Sequence, residues 1–445
     1  MQMNTVNTGG VVEPLKRSGK RKISWVYSVF PISLATGPLG TLVQLYLIEL
    51  NGVTAGTIFA SLAVAISNGV SIPAAIFWGF ATDRLHRRRP LIAASYAFMA
   101  AVLVSFYFDS TTTGTISTYA VFTFISAASA TPLNLLIMET EEKGKWAGAF
   151  ARLSMMSSVG NVGGLILSTL WAGRLPLISL TLPFGVFALA SAALSVVTIR
   201  EPAFTFEKES VALRKSSLFS RLLALPIFFV KVPKASDFTR VFRGLRSSLT
   251  SYVPLFYLST VLFYLSSGLF NTSFVPAMSA FSLTEFEIFA VILVGMVTQV
   301  LAFQFAGRYV ETQSLVTTSA QGLLLRGWTY IIIGAGAWLL TDQLFILPAL
   351  VMYPVGAGIA FAVYYTSSNT MMFNTIQRKN PGAALGVYSA VVGLAATAGS
   401  LASGFISVYV GFYTTFVLAG SLLFAAVWIV ARLPKSPGAD SGSHQ

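Results

Sequence analysis

Apolar residues recur from one end of this chain to the other in long runs separated by short polar breaks. A bilayer crossing needs roughly 20 mostly apolar residues. Twelve runs approach or reach that length, at 24–49, 56–80, 90–108, 115–137, 146–171, 177–199, 252–276, 285–307, 325–341, 344–366, 382–407 and 411–431. Each predicts a membrane helix, and they are numbered here as spans 1 to 12.

The basic residues test this map, because a wrong span count would scramble the alternation of basic loops that sets orientation. Clusters fall before span 1, after span 2 (Arg84, Arg87, Arg88, Arg89), after span 4 (Lys143, Lys145), between Arg200 and Arg246, around the loop after span 8 (Arg308, Arg326), after span 10 and at the C-terminus. All lie on one side; only Arg174 falls opposite. Both termini are therefore expected in the cytoplasm. The other face carries acids, among them Glu49, Asp109, Glu285, Glu287 and Asp342.

Five units follow: a cytoplasmic tail at 1–23, a six-helix half at 24–199, a basic cytoplasmic linker at 200–251, a second six-helix half at 252–431 and a tail at 432–445. The linker's short apolar run, Leu222 to Val230, cannot span; an interfacial amphipathic helix and a plain linker are both open readings. The apolar stretch behind the first basic cluster is too long for a signal-peptide core, so it is expected to stay as span 1.

Composition agrees and excludes several chemistries. The chain is 55% hydrophobic and only 10% charged, against roughly a quarter charged in soluble domains. The absence of cysteine, with two histidines (His86 and His444), leaves little for disulfides, thiolate sites, zinc or haem. No cofactor is expected, and no nucleotide motif of the Gly-x4-Gly-Lys-Ser/Thr type is present. The net charge of +13 is the cytoplasmic bias of a polytopic protein and calls for no nucleic acid.

The two halves repeat. At an offset of 228 residues the loop after span 2 overlies the loop after span 8, so Gly79 meets Gly307 and Asp83 meets Glu311. Before spans 5 and 11, Gly148 matches Gly386 at an offset of 238. The fold class expected is all-α integral membrane, twelve transmembrane helices in two pseudo-symmetric six-helix halves around a central cavity.

The segment from Gly79 to Arg88 resembles the signature loop of the major facilitator superfamily, with Gly79, Asp83, Arg84, Arg87 and Arg88 in the matching places. Ala81 and His86 depart from it, standing where leucine and glycine are usual. The resemblance implies a multi-pass transporter of the cell membrane, and the family regards this loop as a gate. Asp83 is placed to dock at the start of span 11 near Pro381 and Gly382, where unpaired N–H groups and the helix dipole favour a carboxylate. By the repeat, Glu311 docks at span 5. A topology signal with a surface ion pair is the plainer alternative.

Arg152, inside span 5, either bonds a nearby carboxylate or snorkels. Gly160 and Gly164 on span 5, and Gly382 and Gly386 on span 11, permit close helix approach. Gly160-Asn161-Val162-Gly163-Gly164 also resembles the family's exchange-transporter pattern, but Asn161 replaces the expected proline, which weakens any case for antiport.

Polar residues inside spans mark the expected binding region near the midplane: Gln44, Asn68, Ser71, Ser129, Asn134, Asn161, Asn271, Gln299, Tyr364, Tyr365 and Asn369. Interhelical bonding is the alternative role for each, and Tyr365 and Asn369 share a helix face. No Asp or Glu lies mid-span, so no buried proton carrier and no obvious recogniser of lipophilic cations is evident. The reading is a secondary transporter, a monomer in the lipid bilayer, moving a small organic solute by alternating access, with efflux of neutral or amphipathic compounds ahead of uptake of a sugar or metabolite. A non-transporting solute sensor and a membrane enzyme built on Glu139, Glu141 and Glu142 are rivals; the flanking Lys143 and Lys145 make that acidic cluster look like a solvated loop, so no enzyme is expected.

Overall fold

The computed structural model describes residues 24–85, 88–140, 146–199, 252–375 and 381–433. The side chains of Asp83, Arg84, Glu139, Glu311 and 373–387 lie outside that description, as do Arg87, the linker with its apolar run, and both tails. After a 3-10 turn at Ser24–Ser28 come α1 (Val29–Leu85), α2 (Arg88–Phe108), α3 (Thr112–Thr140), α4 (Trp146–Trp171) and α5 (Thr181–Thr198). The second half holds α6 (Tyr252–Ala280), α7 (Glu285–Thr312), α8 (Leu315–Leu339), α9 (Ile346–Tyr353), α10 (Phe361–Thr375), α11 (Pro381–Tyr409) and α12 (Phe412–Val430).

α1 has 57 residues, about 86 Å at 1.5 Å per residue, far beyond the ~30 Å hydrocarbon core. It is two crossings. Gly52 breaks it at φ 73°, ψ 168°, a conformation open essentially to glycine alone. A β-carbon on Gly56 would stand 2.5 Å from Ile48 Cα, so the arms meet immediately past the turn. The sequence predicted a loop at 50–55; one glycine makes the reversal. The neighbouring turn is tied to it, since Thr112 Oγ1 donates to Asn51 Oδ1 at 2.8 Å and the Tyr46 hydroxyl donates to the Asp109 carbonyl at 3.0 Å. Eleven helical stretches have the length and apolarity to cross a membrane, and with α1 counted twice the crossings number twelve.

α9 and α10 form one crossing through a π-helical segment, Pro354–Ala360. Pro354 cannot donate a backbone hydrogen bond, and widened turns of this kind relieve such a defect. Gly356 and Gly358 let the widened backbone press on Thr329 of α8 and Thr298 of α7.

α8 corrects the sequence reading. It starts at Leu315, ten residues before the expected 325, and so carries Arg326 into mid-helix rather than to a cytoplasmic edge. The polar stretch from Thr317 to Gln321 had interrupted the apolar run, yet its groups are satisfied internally. Ser314 accepts from the Thr317 amide at 3.2 Å, Thr318 Oγ1 donates to the Ser314 carbonyl at 2.9 Å, and Ser319 Oγ donates to Ser367 Oγ of α10 at 2.8 Å. α7 begins with a capping box, Thr284 and Glu287 each satisfying the other's backbone amide.

Each half is drawn together at glycines. On α4, β-carbons at Gly160 and Gly164 would stand 2.7 Å from the Phe30 carbonyl oxygen and 2.0 Å from that of Leu34 on α1. In the second half, one at Gly399 of α11 would stand 2.2 Å from the Leu265 carbonyl oxygen of α6. The first and fifth crossings of each half therefore meet backbone to backbone, which is the pseudo-symmetry in physical form. Around the second seam stack Phe270 on Tyr330 (3.7 Å between centroids) and Phe274 on Tyr353 (4.5 Å). Tyr107, Phe108, Trp338, Tyr409 and Tyr413 lie exposed at helix ends on one face, as an interfacial aromatic belt requires.

By contrast, a β-carbon at Gly79 or Gly307 meets nothing within 4 Å among the described residues. Gly164→Ala and Gly399→Ala are each expected to destabilise the protein by roughly 1–3 kcal/mol through overpacking, while Gly79→Ala and Gly307→Ala leave stability unchanged. Thermal unfolding midpoints of the four variants in detergent check this; equal midpoints would refute the seam assignment.

Candidate functional site

Among the described residues three main contacts join the halves: the second arm of α1 against α11, α4 against α7, and α1 against α6. Along the first, Gly404 receives Ser61 and the Thr57 carbonyl, Gly393 receives Ile72, and Gly69 faces Thr397. Near its middle Asn68 Nδ2 donates to Ser400 Oγ at 3.2 Å, and Thr272 Oγ1 of α6 donates to the same oxygen at 3.0 Å. Toward the Gly404 end, Ser273 bonds Ser403 and, at 2.7 Å, Ser407, which reaches Thr415 Oγ1 of α12 at 2.9 Å. Polar groups in hydrocarbon must find partners in protein or cavity water, and here they find each other. The sequence reading named Asn68 but missed this serine and threonine ladder. Its signal was present as Ser400, Ser403 and Ser407 at helical spacing among glycines.

The other polar candidates divide by surroundings. Gln44 is buried and its Oε1 has no hydrogen-bond partner among the described residues. Asn161, where the exchange-transporter pattern has proline, packs against Gly37 and accepts from Thr36 Oγ1 at 3.5 Å, so it sits in the α1–α4 seam. Ser71 bonds its own helix at the Asn68 carbonyl and Ser129 bonds the Ser126 carbonyl. Asn134 and Asn271 are exposed, and Gln299 and Asn369 partly so. Tyr364 is buried against Phe263 (4.0 Å), whereas Tyr365 is exposed and stacks on Phe361 at 5.3 Å, with Phe303 edge-on to both. The structure brings Asn68 across the seam and Tyr365 into an aromatic group; it does not gather Asn134, Asn271 and Gln299 with them through hydrogen bonds.

Of the gating residues, Arg88 is described: it is buried, and its Nη1 donates to the Thr82 carbonyl at 2.6 Å, capping the end of α1. Asp83, Arg84 and Glu311 are placed only as backbone on α1 and α7, and Gly382 and Gly386 on the first turns of α11. Arg152 is exposed near the start of α4, and the carboxylates considered for it lie outside the described side chains. Among the described residues no group of three His, Cys, Asp or Glu is placed to hold a metal ion.

Arg326 was not foreseen as an interior residue. Twelfth in α8, it is 2% exposed. Its guanidinium carbon stands 5.0 Å from the Phe263 ring centre, 5.1 Å from Phe361 and 5.3 Å from Tyr330, and Nε donates to the Tyr330 hydroxyl at 2.6 Å. Nη1 has no hydrogen-bond partner. An arginine at mid-membrane costs about 2.5–3.5 kcal/mol on insertion scales, and desolvated cation–π contacts contribute up to about 2 kcal/mol each. The three rings therefore suffice to hold the charge without a carboxylate. Apart from this cluster, a cleft of about 640 Å³ opens on the flank of the second half among Phe305, Tyr309, Gln321, Leu325 and Ile359.

Residues 256–445 match the family described as the Major Facilitator Superfamily. No individual curated protein matches the chain. Among solved structures, a POT family transporter in complex with 5-aminolevulinic acid aligns with TM-score 0.65 at 14% identity, over 92% of this chain and 94% of that one. A peptide transporter POT in complex with sulfate gives 0.68 at 11% identity, over 92% of each chain. The human organic anion transporter MFSD10 (TETRAN) gives 0.59 at 15% identity, over 92% and 97%. At these identities the likeness is one of fold, and it runs through both halves. Residues 256–445 carry the match to the Major Facilitator Superfamily, and the helical fold of these transporters runs on through the first half.

Proposed function

We propose that the protein is a secondary transporter that moves a small, neutral or amphipathic organic solute by alternating access, with efflux as its direction. The observation that supports this reading best is the uneven seam between the halves. Contacts run from Gly404 through Asn68 to Gly393, while Gly79 and Gly307, equivalent positions in the repeat, meet no described residue within 4 Å. A seam tight at one end and open at the other is one of the two arrangements a rocking pair of halves must adopt. With the basic loops in the cytoplasm of a plasma-membrane protein, this arrangement is open inward.

In this reading Asp83 and Glu311 are paired latches, each docking on a helix start of the opposite half when the cytoplasmic side closes. Gly79 and Gly307 are glycines because closure brings a neighbour against them. Asn134, Asn271, Gln299, Tyr365 and Asn369 supply polar surface to the solute path, since exposed polar groups in mid-span are costly against lipid. Each half supplies one wall, so the working unit is a monomer. The structural neighbours, which include peptide and organic anion transporters, fit a small-solute cargo without choosing one.

The chain has no cysteine, so Gly79→Cys carries the sole thiol. A membrane-impermeant maleimide is expected to label it only from the side of the basic loops; labelling from the opposite side would overturn the orientation. Asp83→Asn removes a contact of about 1 kcal/mol, which corresponds to roughly a fivefold bias. It is expected to lower flux of any transported solute severalfold in proteoliposomes at unchanged thermal stability. Flux equal to wild type would remove the latch.

A further inference from the structure

Arg326 is the only basic residue near the middle of any described span, and its place in the fold points to the charge of the cargo. The guanidinium is enclosed by α6, α8 and α10. The hydroxyl that accepts from it and the rings it touches are neutral, and no carboxylate pairs with it among the described residues. Its Nη1 is buried without a hydrogen-bond partner among the described residues, and the buried Ser267 hydroxyl lies beside the Tyr330 hydroxyl that Arg326 Nε already engages. An unsatisfied, permanently positive donor near a serine hydroxyl on a facing helix forms a half-built anion site.

The cluster also has a route to the exposed face of α10. Phe361, one wall of the cage, stacks on exposed Tyr365, so a single ring layer separates the guanidinium from that surface. The layer sits directly after the π-helical segment Pro354–Ala360. Widened turns of this kind recur at functional sites, and here one gives α10 the slack for Phe361 to swing aside.

We propose that Arg326, with Ser267, recognises an anionic head group, a carboxylate or sulfonate, on an amphipathic organic solute that enters by displacing the Phe361–Tyr365 layer. The cage then has a double use: the rings hold the charge between cycles, and the planar guanidinium offers Nη1 to an oxyanion when one arrives. This rests on the transporter reading, whose cargo class it narrows.

The test uses the full chain in proteoliposomes and in detergent. Its probes are matched sets on one skeleton: naphthalene-2-sulfonate with its sulfonamide and the corresponding methylammonium, and 4-phenylbutyrate with its amide and amine. Wild type is expected to exchange, or be thermally stabilised by, the anionic members in preference to the others. Arg326→Gln is expected to lose that preference by about tenfold or more, the worth of one charged hydrogen bond, while Arg326→Lys retains part of it.

Ser267→Ala, a milder change, is expected to weaken anion binding severalfold and keeps the test open if Arg326→Gln fails to fold. Anion stabilisation that depends on Arg326 without any flux would support the site and sink the transporter reading. Flux confined to neutral or cationic members, or an anion preference that survives Arg326→Gln, would overturn the site and leave the transporter standing. The absence of both flux and stabilisation for every anion tested would overturn the proposal.

Discussion

Helices in a bilayer gain nothing from hiding apolar side chains, because lipid is as apolar as leucine; what holds them together is close backbone approach and the mutual satisfaction of polar groups. Everything in this fold follows from that constraint. α1 and α4 meet where Gly160 and Gly164 expose backbone to backbone, and α6 and α11 meet the same way at Gly399. Where helices cannot come so close, serines and threonines bridge them, as in the ladder from Asn68 through Ser400 and Thr272.

The same constraint separates rigid contacts from movable ones. Within each half the glycine seams are backed by fully buried side chains, and in the second half by stacked rings as well, so a half is stiff. Between halves the contacts are fewer and spread along one flank of each partner, and Gly79 and Gly307 meet no described residue within 4 Å. A molecule built this way bends between its halves before it bends within them.

Arg326 shows how an interior charge survives without an ion pair. Aromatic faces supply negative potential and exclude water at once, so the guanidinium is held while part of its donor set stays free. Its neighbours on α10 lie where Pro354 has forced the backbone out of regular α-helical spacing. The cage and the widened segment are therefore adjacent in the fold, with Phe361 belonging to the one and following the other.

Hydropathy alone determined the number of crossings, their order and the repeat, because the cost of lipid exposure acts on each residue through its own composition. α4 falls on the expected span, 146–171, to the residue. The glycines of the α1–α4 seam were legible too, since small residues four apart have few other uses in a span. Hydropathy failed at α8, where Arg326 and the polar turn before it masqueraded as a loop. Only tertiary packing supplied the partners, Ser367 and Tyr330 for the polar groups and Phe263 and Phe361 for the charge, that make such a turn soluble in the interior. Likewise the sequence named Tyr364 and Tyr365 alike, and the rotation of α10 sent one into the core and the other to the surface. Cost per residue is local and can be read along a chain; satisfaction of that cost depends on which distant residue comes to lie opposite, and that the fold decides.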